Sequence, residues 1–352
     1  MMYKTNQSSG SCSFCNITTH NGAIAAVSTV MSVLDLIKSS IYTTGPTAHG
    51  LWASLEGAIR GELSFVQTNG LRSSAVGVGV NGTAEISSST LHTTGLYSSP
   101  LFFATGGGGS LHCEVIVGNA DASPIAIVDG SADVWIGDSV LTGGGIAGVV
   151  STNTGQSAGS QVLQFNNCWL TSASGGPAMW FGNTNATVQL YRSRVTALGS
   201  SDDHGILVIA NRSQTNPDYS SYGSGLPLFS NFSISPAWVQ FDIQETVIRG
   251  DIISMLGSYI RWSLAASTVW YGSAMVVNSI NSVSLIDIAV APDCTWVLTQ
   301  NSVTQGFYAP GKNLTNIVGN GYNVSYKQNH PMNDWLSGEI RELTGGGFLI
   351  PY

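Results

Sequence analysis

Residues 39–54 read SSIYTTGPTAHGLWAS, and the chain repeats this pattern three more times. The further copies are SFVQTNGLRSSAVGVGVNG at 64–82, STLHTTGLYSSPLFFATGG at 89–107 and EVIVGNADASPIAIVDGS at 114–131. Aligned on the small residue after the turn, Gly50, Ala75, Pro100 and Pro124 fall 25, 25 and 24 residues apart, and Gly45, Gly70 and Gly95 keep the same step. A fixed period of this size marks a solenoid, in which one unit cannot bury its apolar face without its neighbours. Within each unit, short apolar and β-branched runs such as Leu51-Trp52-Ala53 and Ile125-Ala126-Ile127-Val128 are separated by Gly, Asn, Ser and Thr clusters. Such runs are strands and the clusters are turns. No unit holds a ten-residue stretch of helical period, so helical repeat architectures are excluded. Two or three short strands in about 25 residues specify a single right-handed parallel β-helix, an all-β solenoid whose coils stack at about 4.8 Å.

Residues 1–38 are expected to form an N-terminal arm and cap. The first twenty are read as irregular, and 21–38 as strands with Thr29-Val30-Met31 and Val33-Leu34 inward. The β-helix is expected over 39–330. Gly176-Pro177-Ala178-Met179 returns to the Ser99-Pro100 register after three turns and an insertion at about 147–160. Residues 211–236 break the rhythm with three prolines and two tyrosines, and a long aperiodic insertion in a compact body is usually functional or disordered. Strands resume at Trp238, and 331–352 reads as a C-terminal cap, since a bare end coil would expose apolar surface and unpaired backbone.

The chain has 352 residues, of which only 9% are charged, with 12 Lys plus Arg against 20 Asp plus Glu and 42 glycines. A surface built from hydroxyls, amides and glycine lacks the basic footprint that nucleic acids or anionic membranes require. There is no run of eighteen apolar residues to span a bilayer. Asn-X-Ser/Thr sequons occur at Asn6, Asn16, Asn81, Asn185, Asn211, Asn231, Asn313 and Asn323, and with only four lysines they point to a secreted or lumenal glycoprotein. Cys12 and Cys15 could be a tight disulfide, a redox pair or half a metal site, although no second ligand pair is spaced for zinc. Cys113, Cys168 and Cys294 lie beside strand-like residues and read as core. No metal or other cofactor is expected.

The pattern Thr-Thr-Gly-x-x-x-His-Gly-x-x-Ala-Ser at 43–54 resembles a large family of secreted, adhesin-like right-handed β-helix proteins of bacteria and fungi. So do SSTLHTTGLYSSPLFFATGG (88–107), DSVLTGGG (138–145), DCTWVLTQNSVTQGF (293–307), NLTNIVGNGYNV (313–324) and NDWLSGEIRELTGGG (333–347). The likeness covers roughly residues 39–352 and speaks to architecture rather than chemistry. The chain is also similar to fungal secondary-metabolite proteins, among them the hetero-Diels–Alderases that join a tropolone quinone methide to humulene-type sesquiterpenes. No catalytic motif of those enzymes matches residue by residue. Simple adhesin-like members carry Thr, Ser, Asn and Asp outward. Here bulky aromatics stand in many strands, densest over 238–271.

Three chemistries compete. A pericyclic catalyst needs a dry cavity, orientation and a few hydrogen bonds, with no covalent nucleophile. For an intermolecular cycloaddition on an apolar small molecule, the candidate polar contacts are His204, Asp203 and Arg249. Its candidate walls are Tyr219, Tyr222, Trp238, Trp262 and Trp270. A non-enzymatic surface protein would instead stack Trp and Tyr on neutral carbohydrate. A glycoside hydrolase needs two carboxylates at fixed separation, for which Asp202-Asp203-His204 is the acidic cluster. A uronate lyase is disfavoured because no lysine lies between Lys38 and Lys312. What the 211–236 insertion covers discriminates among them: a closed aromatic pocket, an open aromatic ladder, or a long cleft with facing carboxylates.

Overall fold

In the computed structural model, residues 2–4, 7–103, 108–145, 147–153, 159–198, 205–212, 235–278, 282–311 and 314–352 are described. They form a right-handed parallel β-helix of about 12 turns with about 25 residues per turn. Each coil contributes one strand to each of three faces, here called A, B and C, of eleven, twelve and twelve strands. Face A runs from Met2–Lys4 to Ala274–Val277, face B from Ser9–Ser13 to Phe307–Tyr308, and face C from Asn16–Thr19 to Ile317–Val318.

The repeat is explained by what each of its residues does at a corner. Between faces B and C nearly every coil turns on one residue of positive φ, among them Lys38, Leu63, Ser88, Asp138, Asn167, Arg192 and Glu245. The next residue is a small buried one, usually Ser or Thr, which accepts a hydrogen bond from the coil before. Ser39 N–H donates to Ser64 Oγ at 3.2 Å, Ser64 N–H to Ser89 Oγ at 3.1 Å, and Cys168 N–H to Ser193 Oγ at 3.0 Å. Between faces C and A, Ser73, Ser98 and Ser123 accept from Ala48, Ser73 and Ser98 N–H at 2.9, 2.9 and 2.8 Å. The same hydroxyls donate to the carbonyls of Gly45, Gly70 and Gly95. Corner backbone that forms no ladder is thereby satisfied from within.

Pleating sorts the side chains, since alternate residues of a strand point to opposite faces. Coils two to seven fill the core with aliphatic residues such as Leu34, Ile59, Ile86, Val134 and Leu163. Later coils fill it with rings. Phe181, Phe241, Trp262, Trp270, Trp296 and Phe307 form a chain of contacts with centroids 4.7 to 6.2 Å apart, and Trp270 and Trp296 are stacked at 4.8 Å. The indole N–H groups of Trp270 and Trp296 donate to the carbonyls of Gly250 and Gly272, both at 2.9 Å.

Several expectations need correction. The N-terminal segment is not irregular: Met2–Lys4, Ser9–Ser13 and Asn16–Thr19 pair in parallel with the following coil. Residues 21–38 do form strands, at Ala26–Thr29 and Val33–Ile37, but Val30 and Met31 occupy the turn between them, each with φ of 55°, and Met31 is exposed. Cys12 and Cys15 are disulfide-bonded, while Cys113, Cys168 and Cys294 are buried. At the C-terminal end a 3-10 helix at Pro331–Leu336 precedes Arg341–Glu342 and Phe348–Pro351, which join a small four-stranded sheet. Among the described residues no helix is long and apolar enough to cross a membrane.

Candidate functional site

Face B carries a surface hollow of about 730 Å³, where strands Asn185–Tyr191, Trp238–Gln244 and Tyr259–Ala265 lie side by side. Their outward residues form a grid. In register, Ser160, Asn185, Trp238 and Tyr259 make one row across the coils; Val162, Thr187, Gln240, Arg261 and Asp287 make the next; Gln164, Gln189, Asp242 and Ser263 a third. The grid begins where the chain enters face B, with Ser235 N–H donating to Asn183 Oδ1 at 2.8 Å.

Trp238 and Tyr259 form the aromatic floor, with centroids 5.0 Å apart and planes inclined by 51°. Trp238 is 56% exposed, so among the described residues the hollow is an open trough. The phenol of Tyr259 donates to Asp287 Oδ2 at 2.8 Å, and Asp287 Oδ1 accepts from Gly306 N–H at 2.7 Å. His330 Nε2 lies 3.9 Å from the same oxygen, while its Nδ1 accepts from Met332 N–H at 3.4 Å. Burial and then the hydrogen bond to Asp287 push the Tyr259 phenol well above its ordinary range, so it remains protonated and fixed. Beyond the aromatic pair, Gln240 Nε2 donates to Asp242 Oδ2 at 3.1 Å. Arg261 is exposed and forms no ion pair among the described residues. The trough thus offers two ring faces, amide and hydroxyl groups, the carboxylate of Asp242, that of Asp287 already bonded to Tyr259 and Gly306, and one guanidinium.

The expected site residues part company. Trp238 stands in the trough. Trp262 and Trp270, expected as walls, have no exposed surface and belong to the core. Pleat parity explains this correction: Trp262 is in register with inward Phe241, and Trp270 with inward Ile248. Arg249 lies on face C, its guanidinium 4.2 Å over the Tyr271 ring, and so is separated from Trp238 by the corner at Glu245 and Thr246. His204, Asp203, Asp202, Tyr219 and Tyr222 fall outside the described residues.

Among the sequons, Asn16, Asn81 and Asn185 are exposed. Asn185 borders the trough, so a glycan there would stand beside Trp238. Asn211 is a correction: it is only 4% exposed, closing strand Ile206–Asn211, and its amide is not reachable in the folded chain. The Asn323 side-chain Oδ1 accepts from Phe348 N–H at 2.8 Å. Asn6, Asn231 and Asn313 lie outside the described residues.

Tyr259 is a trough residue that the sequence reading passed over, whereas Arg261 was among the arginines it placed in this part of the chain. The alternation Tyr259-Ile260-Arg261-Trp262 carried the signal, because burying Ile260 and Trp262 turns Tyr259 and Arg261 outward. Among the described residues no group of three or more His, Cys, Asp or Glu converges as metal ligands.

Fold and site together define a parallel β-helix protein with an open, aromatic-floored trough across one face. No protein-family model matches the chain, and no curated protein matches it.

Proposed function

We propose that the protein is a carbohydrate-binding β-helix that holds a neutral oligosaccharide in the face B trough. The observation that carries this reading is the tilted pair of exposed Trp238 and half-buried Tyr259, flanked by Asn185, Thr187 and Gln240. Aromatic planes bury the C–H faces of a pyranose, and amides and hydroxyls exchange hydrogen bonds with its ring hydroxyls. The trough is largely preformed, because Trp238 and Tyr259 are set by strand register and Tyr259 is tied to Asp287, which reduces the ordering cost of binding. A secretory-pathway location fits the Cys12–Cys15 disulfide.

Cycloaddition on an apolar small molecule asks for enclosing walls. Two of the five candidate walls are core residues, and Trp238 and Arg249 are on different faces. The open trough therefore favours the sugar reading.

Isothermal titration with a panel of neutral oligosaccharides tests it. Removing a central aromatic contact generally costs a binding interface about 2 kcal/mol or more, so Trp238→Ala should weaken binding at least about tenfold. Tyr259→Ala should act in the same direction. Binding unaffected by either substitution would overturn the assignment of the trough.

A further inference from the structure

The trough does not stop at face B. The outward residues of one coil, Trp238, Gln240, Asp242, Gln244, Val247 and Arg249, line three successive hollows of about 730, 340 and 420 Å³. The last of these crosses the corner onto face C. Eleven residue steps of extended chain separate Trp238 from Arg249, a track on the order of 30 Å when the corner is allowed for.

At the far end of this track the charge changes character. The chain carries a formal charge of −8 with only 12 basic residues, yet Arg192, Arg194 and Arg249 converge on the last hollow. Arg192 is neutralised by Glu245 at 2.6 Å. Arg194 and Arg249 have no ion pair among the described residues. Arg194 is in register with Val247, and Arg249 with Thr196, so the two guanidinium side chains leave neighbouring strands on a diagonal. Strand spacing and rise put their Cβ atoms roughly 8 Å apart. Stacking on the Tyr271 ring holds Arg249 in place. Both side chains line the same hollow without an ion pair among the described residues, and an oxyanion held there would accept charge-assisted hydrogen bonds from both.

We infer that Arg194 and Arg249 form an oxyanion subsite, so that the full ligand of the track is an acidic polysaccharide bearing carboxylate or sulfate groups. This rests on the reading of the face B trough as a sugar site, and it places neutral ring stacking at Trp238 and charge recognition at the face C end.

The test compares a neutral oligosaccharide with its uronate and sulfated counterparts by titration calorimetry at low ionic strength, using the full chain. Hydrogen bonds to a charged group contribute about 1.5–3 kcal/mol, so one or both acidic forms should bind about tenfold or more tightly than the neutral one. The gain should fade in high salt, because the subsite is exposed. The double variant Arg194→Gln/Arg249→Gln should remove the gain and leave neutral binding unchanged, whereas Trp238→Ala should weaken all three ligands. The carboxylate and sulfate arms tell which oxyanion is preferred. Neutral binding with no acidic gain, or a gain that survives the double variant, would overturn the subsite and leave the trough standing. Should no oligosaccharide bind, the trough reading falls, and inorganic sulfate becomes the probe. Perturbation by sulfate that disappears in the double variant would sustain the anion site alone, and no perturbation would overturn it.

Discussion

Trp238 and Trp262 are 24 residues apart in sequence and on opposite sides of the same sheet. Both read as bulky aromatics in a strand, and only the parity of the pleat separates ligand platform from core. Stability should register the difference. Trp262 contacts Phe241 at 4.7 Å and Trp270 at 5.5 Å with no exposed surface, so Trp262→Ala should destabilise by about 3–5 kcal/mol. Trp238→Ala, on the surface, should stay within about 0.5 kcal/mol of wild type. Denaturant midpoints of the two variants check this, and equal losses would contradict the inward and outward assignment. His49 shows a similar sorting. It lies beside Trp52 at 4.9 Å, its Nδ1 accepts from Ser74 N–H at 3.1 Å, and burial lowers its pKa to about 4, so it stays neutral at pH 7.

At the scale of the element, the repeating Gly and Ser of the first coils form a corner device. Gly45, Gly70 and Gly95 stack on one another so closely that a Cβ on Gly70 would meet the Gly45 carbonyl oxygen well inside contact distance. Ser73 and Ser98 then tie the same carbonyls to the next coils. Gly70→Ala should therefore force backbone movement and destabilise by about 1–3 kcal/mol or more, measured as a fall in denaturation midpoint. A neutral substitution would mean that the corner is looser than its hydrogen bonds imply. This device was legible in the sequence because each coil repeats it at a near-constant step. The N-terminal coil was not, because Gly10, Ser11 and Ser13 have no apolar alternation to read, and their strand is set by pairing with Val33–Ile37. Met31 reads as apolar and inward, yet its left-handed backbone at a tight corner takes it outward. Tertiary context overrides local hydrophobicity at such positions.

At the scale of the whole molecule, about 12 coils at about 4.8 Å make a rod, closed at the C-terminal end by the 3-10 helix and a small sheet. Period and core placed the fold. The candidate site was less legible, since its rows are formed by residues from several coils, whose register depends on insertions of unequal length. Asn185, Trp238 and Tyr259 are neighbours although 53 and 21 residues separate them in sequence. The aromatic cluster over 238–271 divided between two jobs, with Trp262 and Trp270 in the core and Trp238 and Tyr259 in the trough. Two tryptophans are more than half exposed: Trp238 on face B, and Trp169, 59% exposed, on face C.

That pair provides the most direct measurement, oxidative footprinting of tryptophan with peptide mass spectrometry, in the presence and absence of a neutral oligosaccharide. Trp169 serves as an internal control on the same chain. The prediction is that saccharide slows oxidation of Trp238 several-fold while Trp169 reacts at an unchanged rate. Equal oxidation of Trp238 with and without saccharide, or protection at Trp169 instead, would contradict the trough as the sugar site.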